Sequence, residues 1–254
     1  CVLPGQTVQP SITNPINIEN AVAGTAQAAA TQTALANPLP TTANMASTST
    51  PTPKVSSSGT ALVTLADDST QFIDYISGMQ MVFPAGWLVV RVGEDEYYTA
   101  WGSPESQTPV FMDILTGIQS LDPKVFRVHA LDMRSDHIIN NDITRVDVVF
   151  SQNDIRTLKE VQADEKKNHP RYKSYKLLTS KIFDTPQGIQ ALNIEAQWAT
   201  SNGASQTGLS YHRRVLYKVS TGVIAIDLYT LLDKKDLTTP DLEQVINNIT
   251  FFDL

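Results

Sequence analysis

Apolar and polar positions along this chain follow two regimes that meet near residue 60. Before it, no apolar stripe of helical or strand period appears. After it, short apolar runs alternate with turn residues. Ile76-Ser77-Gly78-Met79-Gln80-Met81-Val82-Phe83 alternates imperfectly and stops at Pro84, and Ala85-Gly86 leads into Trp87-Leu88-Val89-Val90-Arg91-Val92. This pattern predicts a β-hairpin with Pro-Ala-Gly at the bend. Further strands are expected at residues 110–116, 126–133 and 143–150. Ser151 and Asp154 then have the spacing of an N-cap and its N3 partner. Ile155, Leu158, Val161 and Gln162 follow, and Pro170 marks the helix end. The apolar face is thin, so this helix is expected to lie on a sheet with its other side in water.

A run of antiparallel strands is expected next, at residues 175–184, 189–200, 210–220 and 223–231. Their turns are Thr185-Pro186-Gln187-Gly188, Ser201-Asn202-Gly203 and the tight Thr221-Gly222. In the last strand Val223, Ala225, Asp227 and Tyr229 share one face, and Ile224, Ile226 and Leu228 share the other, read as the buried one. Thr239 is expected to cap a final helix with Pro240 at its first position. Leu242, Val245, Ile246 and Ile249 form its apolar stripe before Phe251-Phe252. The order of elements predicts an α+β fold, an antiparallel sheet covered by helices, preceded by a long extended N-terminal tail.

Composition sharpens the division. Residues 1 to 60 hold two charged side chains, Glu19 and Lys54, and half of the 14 prolines, so the net charge of −7 belongs to the remainder. A Pro/Ser/Thr/Ala-rich tail and linker is therefore assigned to residues 1–64 and an α+β domain to 65–254. Within the tail, residues 21–36 are alanine-rich, a marginal helix at best. Residues 37–59 are Pro/Ser/Thr-rich and read as an extended linker. If wholly flexible, about sixty residues reach roughly 40–45 Å. The acidic balance, without a basic stripe, argues against a nucleic-acid partner. No apolar run approaches the ~18 residues of a membrane-spanning helix. With Cys1 the only cysteine, an internal disulfide and thiolate metal clusters are excluded.

Two resemblances follow from particular residues. Cys1 leading into a small, polar, proline-rich stretch resembles a mature bacterial lipoprotein; the alternative is a proteolytic end. The lipoprotein resemblance implies lipidation of Cys1 and attachment to the extracytoplasmic face of a membrane, periplasmic or at the cell surface. The segments "GMQMVFPAGWLVV" and "GVIAIDLYT…DLEQVINNITFF" are similar to the two ends of the PsbP-like domain. That family ranges over assembly factors, extrinsic subunits and surface proteins. It implies a fold and no cofactor or metal here, because no ligand motif of the family matches.

Chemistry is sparse. His129, His137, His169 and His212 form no metal-binding pair, and His129 and His212 read as outward-facing strand residues. Asp132, Asp136 and His137 suggest either a metal contact or an ordinary polar loop. Glu94-Asp95-Glu96 and Asp67-Asp68 lack the register of a calcium loop and read as solvated. No Gly-x-Ser-x-Gly elbow or phosphate loop is present, and no catalytic residue is assigned. Asn248-Ile249-Thr250 matches a glycosylation sequon within the expected last helix. Tyr97, Tyr98 and Trp101 are the candidate binding residues; they either close one end of the core or form an exposed hot spot. Trp87 and Trp198 read as core. The function expected is that of a non-catalytic, lipid-anchored accessory or scaffold subunit of a membrane complex, in contact with other protein subunits. The alternative is a free-standing surface lipoprotein that binds a small ligand, a glycan or a partner protein.

Overall fold

The computed structural model describes residues 53–167, 174–199 and 208–252. Cys1, the tail to residue 52, His169, Pro170 and the Ser201-Asn202-Gly203 turn lie outside them. Among the described residues, eleven strands form two antiparallel sheets. The smaller is ordered β1-β2-β3-β11, with β1 at Thr60–Thr64, β2 at Thr70–Asp74, β3 at Met79–Phe83 and β11 at Thr250–Phe251. The larger is ordered β4-β5-β6-β10-β9-β8-β7. Its strands are β4 (Trp87–Val90), β5 (Phe126–Asp132), β6 (Arg145–Gln152), β7 (Lys176–Asp184), β8 (Gln190–Ala199), β9 (Leu209–Val219) and β10 (Gly222–Leu231). Among the described residues, four α-helices complete the fold: α1 at Asp95–Trp101, α2 at Pro109–Gln119, α3 at Leu158–Lys167 and α4 at Lys235–Asn247. None of the described helices is long and apolar enough to cross a membrane.

Burial explains the layering. Phe72, Met79, Met81 and Phe83 of the small sheet, with Leu242, Val245, Ile246 and Ile249 at the α4 end, meet Val128, Val146, Ile224, Ile226 and Leu228 of the large sheet. On the opposite face of the large sheet, α1 and α2 cover β4 and β5 through Tyr97, Phe111, Leu115 and Leu131. There α3 covers β8, β9 and β10 through Leu158, Val161, Ile194, Leu216 and Val223. So β10 is buried on both faces, not on one as its alternation suggested.

The α+β class and the strands from β5 to β10 match the sequence reading, but several local expectations do not hold; β11 forms where the chain was read as the end of the last helix. β3 and β4 are no hairpin: they belong to different sheets. Gly86, at φ 84°, turns the chain at a corner, and both strands feed Met79, Met81, Phe83, Trp87 and Val89 into one core. A corner and a hairpin present the same alternation around Pro-Ala-Gly. Residues 110–116 are helical because Pro109 occupies the first turn and Phe111, Leu115 and Ile118 fall on one helical face. Ser151 lies in β6. The cap of α3 is Thr157, whose N–H donates to Glu160 Oε2 at 2.7 Å while Glu160 N–H donates to Thr157 Oγ1 at 3.2 Å. Ile155, expected on the apolar face, is 89% exposed. Pro240 sits inside α4, which starts earlier because a 3-10 turn at Leu232–Lys234 leads into it. Thr239 therefore caps nothing; its hydroxyl donates to the Lys235 carbonyl at 2.7 Å. β1 begins at residue 60, inside the span assigned to the tail, and neither β1 nor β2 was anticipated.

Candidate functional site

The acidic triplet expected as a solvated loop starts α1, and the helix divides the three candidate aromatics. Tyr97 is 2% exposed and its hydroxyl donates to the Leu115 carbonyl of α2 at 3.1 Å. Trp101 is half-buried against the same cluster. Tyr98, one position on from Tyr97, is 63% exposed. The Tyr97 ring meets Tyr98 edge-on at 5.5 Å and Trp101 at 6.3 Å. Tyr97 and Trp101 thus close the core, and Tyr98 alone of the three stands in solvent on a braced base. The neighbouring helix α2 exposes Met112. Trp87 and Trp198 are buried, as expected.

The strongest concentration of polar side chains was not anticipated. Pairing places His129, Asp147, Asp227 and Arg214 in one row across β5, β6, β10 and β9. Arg145, Tyr229 and His212 form the next row on the same face. His129 is fully buried, contrary to its expected outward direction, with Nδ1 at 2.7 Å from Asp147 Oδ1. Its Nε2 meets no hydrogen-bond partner among the described residues. Arg145 pairs with Asp147 at 3.0 Å and lies 4.9 Å from the centre of the Tyr229 ring. His212 stacks on Tyr229 at 4.6 Å, meets Trp198 edge-on, and contacts Asp227 through Nε2 at 2.7 Å. Arg214 donates to both Asp227 oxygens and to Glu165 of α3. Burial opposes the charge on Asp227, yet Arg214 and His212 outweigh it and hold the carboxyl well below the ordinary range. Burial likewise pushes the Tyr229 phenol up, reinforced by Asp227. Asp227 in an otherwise apolar strand was the one local sign of this row; Arg214 and His212 face it across the Thr221-Gly222 hairpin, and Asp147 and His129 come from strands distant in sequence.

A second cluster ties β5 to α4. Asp132, with no side-chain exposure, accepts from Arg134 Nη2 at 2.7 Å and lies 2.6 Å from His137 Nδ1. Arg134 also bonds to Asp241 of α4. One ligand atom each of Asp132, His137 and Asp241 falls within 4.8 Å of the others, so this trio has the donor set for a cation. The Arg134 guanidinium already bridges both carboxylates and supplies the positive charge, so the arrangement works as a clasp. Of the residues weighed as a metal contact, the fold gathers Asp132 and His137 and leaves Asp136 exposed. Linking the two sheets, Arg127 of β5 and Asp74 of β2 form a bidentate pair at 2.8 and 2.9 Å.

An open cleft of about 380 Å³ lies beside α1, with Leu62, Thr64, Trp87, Val89, Arg91 and Glu94 among its lining residues. It is separate from both charge clusters.

No family model matches this chain, and no curated protein does. Among solved structures it is similar to cyanobacterial PsbP from Synechocystis, at 15% identity over 75% of this chain and 95% of that one, with a TM-score of 0.46. It is also similar to LpqN of Mycobacterium tuberculosis, described as involved in cell envelope biogenesis, at 11% identity over 76% and 91%, TM-score 0.43. The Saccharomyces cerevisiae Ran-binding protein Mog1p matches at 10% identity over 74% and 97%, TM-score 0.40. The likeness is one of fold.

Proposed function

We propose that this chain is a non-catalytic accessory subunit of a membrane protein complex, attached through Cys1 at the extracytoplasmic face and docked on partner proteins through its helical cover. The observation that carries the reading is Tyr98, 63% exposed on α1 and braced by the buried Tyr97. A rigid exposed aromatic of this kind is a common anchor at protein interfaces. The charge clusters support the same reading. Their carboxylates are spent on arginine and histidine side chains of the fold itself, as in Asp74–Arg127, Asp132–Arg134 and Asp227–Arg214. Such pairs hold strands and helices together and leave the chemistry at the surface to contacts.

Extraction of the native protein from membranes in mild detergent, followed by a native gel with mass spectrometry of the band, tests the proposal. Co-migration with other proteins is expected, and Tyr98→Ala is expected to weaken it tenfold or more without changing the melting temperature. Migration as a lone species would overturn the reading in favour of a free-standing binder. Mass spectrometry of the N-terminal peptide from the same membranes tests the acyl attachment at Cys1.

A further inference from the structure

Among the described residues, β1 is an edge strand of the small sheet and β4 an edge strand of the large one, each paired on one side alone. Residues of both line the cleft, Leu62 and Thr64 from β1, Trp87 and Val89 from β4. Its volume of about 380 Å³ falls within the range of roughly 300–1,000 Å³ that holds small ligands or a few residues of a peptide.

The backbone decides which. In an antiparallel pair, alternate residues turn their N–H and C=O groups toward the partner strand and the rest turn away. Tyr75 N–H donates to Gly59 O and Leu65 N–H to Ser69 O. The register from Thr60↔Asp74 to Thr64↔Thr70 then places Ala61 and Val63 in the β1–β2 ladder. Leu62 and Thr64 therefore turn their backbone groups away from β2, on the side of the cleft. For β4, Met133 N–H donates to Gly86 O, so Leu88 and Val90 bond to β5 and Val89 faces outward. The outward groups at the margins are already used. The Thr60 carbonyl accepts from Ser56 N–H and Arg91 Nη1, Arg91 N–H donates to Glu96, and Trp87 N–H donates to Pro84 O. Among the described residues, Leu62, Thr64 and Val89 remain, between those margins. Alternating backbone donors and acceptors along two edges match another extended backbone.

The rim sets the charge. Lys54 pairs with Asp95 at 2.7 Å and Arg91 with Glu96 at 2.5 Å, which leaves Glu94 as the carboxylate that neither pair uses. We propose that the seam between β1 and β4 receives an extended peptide segment of a partner protein. The segment pairs with Leu62 and Thr64, presents small apolar side chains to Leu62 and Val89, and carries a basic residue opposite Glu94. Strand addition of this kind takes its affinity from main-chain bonds and its selectivity from alternate side chains. The proposal rests on the accessory-subunit reading and names how a partner is held.

The test is selection of random peptides displayed on phage against the purified full chain, then fluorescence anisotropy with the synthesised winners. Extended sequences with alternating small apolar residues and at least one Lys or Arg are expected. Thr64→Pro removes an outward N–H and no ladder bond, as proline at a sheet edge permits. It is expected to lower affinity tenfold or more, and Glu94→Lys to lower it several-fold, whereas Ser151→Ala, on β6 away from the cleft, leaves it unchanged. Amide exchange in the wild-type chain probes the same contacts without a variant: added peptide is expected to slow exchange at Leu62, Thr64 and Val89. No selected peptide, or winners that neither respond to Thr64→Pro nor protect those amides, would overturn the seam. The native gel separates the two readings. A chain that co-migrates with partners after the seam has failed remains an accessory subunit, and one that binds peptides there but migrates alone does not.

Discussion

Asp147 and Asp227 stand directly opposite each other on β6 and β10, two carboxylates with 4% and 0% of their side chains exposed. Like charges in such a pair repel, and here each is answered: Asp147 by His129 of the outer strand β5 and by Arg145 of its own strand, Asp227 by Arg214 and His212 of β9. The row holds only as a whole. Asp227→Ala leaves the Arg214 guanidinium without its main counter-charge and is expected to cost about 3–5 kcal/mol, the usual effect of breaking a buried pair. Urea unfolding followed by tryptophan fluorescence measures it. A loss below about 1 kcal/mol, the value of a surface pair, would mean that the row is solvated and contributes little.

The clasp at Asp132 predicts the acid limb of stability. Burial works against its charge, but hydrogen bonds from Arg134 and His137 outweigh that and hold the carboxyl below the ordinary value. Asp227 and Glu195 shift in the same direction. A carboxyl depressed in the folded state stabilises it above the unfolded value of about 4, and that contribution is lost as pH falls through the folded value. Melting temperature is therefore expected to hold level from pH 8 to about 5 and to drop below about 4. Asp132→Asn should be less stable at pH 7 and show a shallower drop on acidification. Equal acid slopes in thermal melts of the two proteins would remove Asp132 from the account.

Thr157 and Ser151 offer a direct contrast. The reciprocal bonds between Thr157 and Glu160 close the first turn of α3, so Thr157→Ala is expected to cost about 1 kcal/mol. Ser151 has the right residue type and spacing for a cap but lies in β6, opposite Val223 of β10. Ser151→Ala should be close to neutral. Chemical denaturation of both variants checks the pair, and the reverse order of effects would contradict the assigned helix start.

The two serine/threonine positions show why local patterns were only partly legible. Ser151-x-x-Asp154 and Thr157-x-x-Glu160 are equivalent as capping signals; the choice between them depends on β6 continuing to Gln152 beside β10. The run from Val110 to Thr116 is apolar enough for either a strand or a helix, and Pro109 with the helical spacing of Phe111, Leu115 and Ile118 was the signal that favoured the helix. Tyr97 and Tyr98 are neighbours of the same type, and only the packing of α1 on α2 makes one a core residue and the other a surface residue.

By itself, the sequence determined what depends on residues near one another along the chain. The α+β class, the strands from β5 to β10, the Thr185–Gly188 turn and the last helical stripe all follow from short-range periodicity and turn chemistry. The tertiary structure alone decided what depends on register between distant strands. The corner between β3 and β4, the burial of His129, the meeting of Asp147 with Asp227 and the outer edge of β4 arise from how strands are brought together into two sheets, not from neighbours along the chain. A side chain's own neighbours in sequence set its period and its propensity. Whether it is buried, paired or open to a partner is set by the strand that the fold brings alongside it.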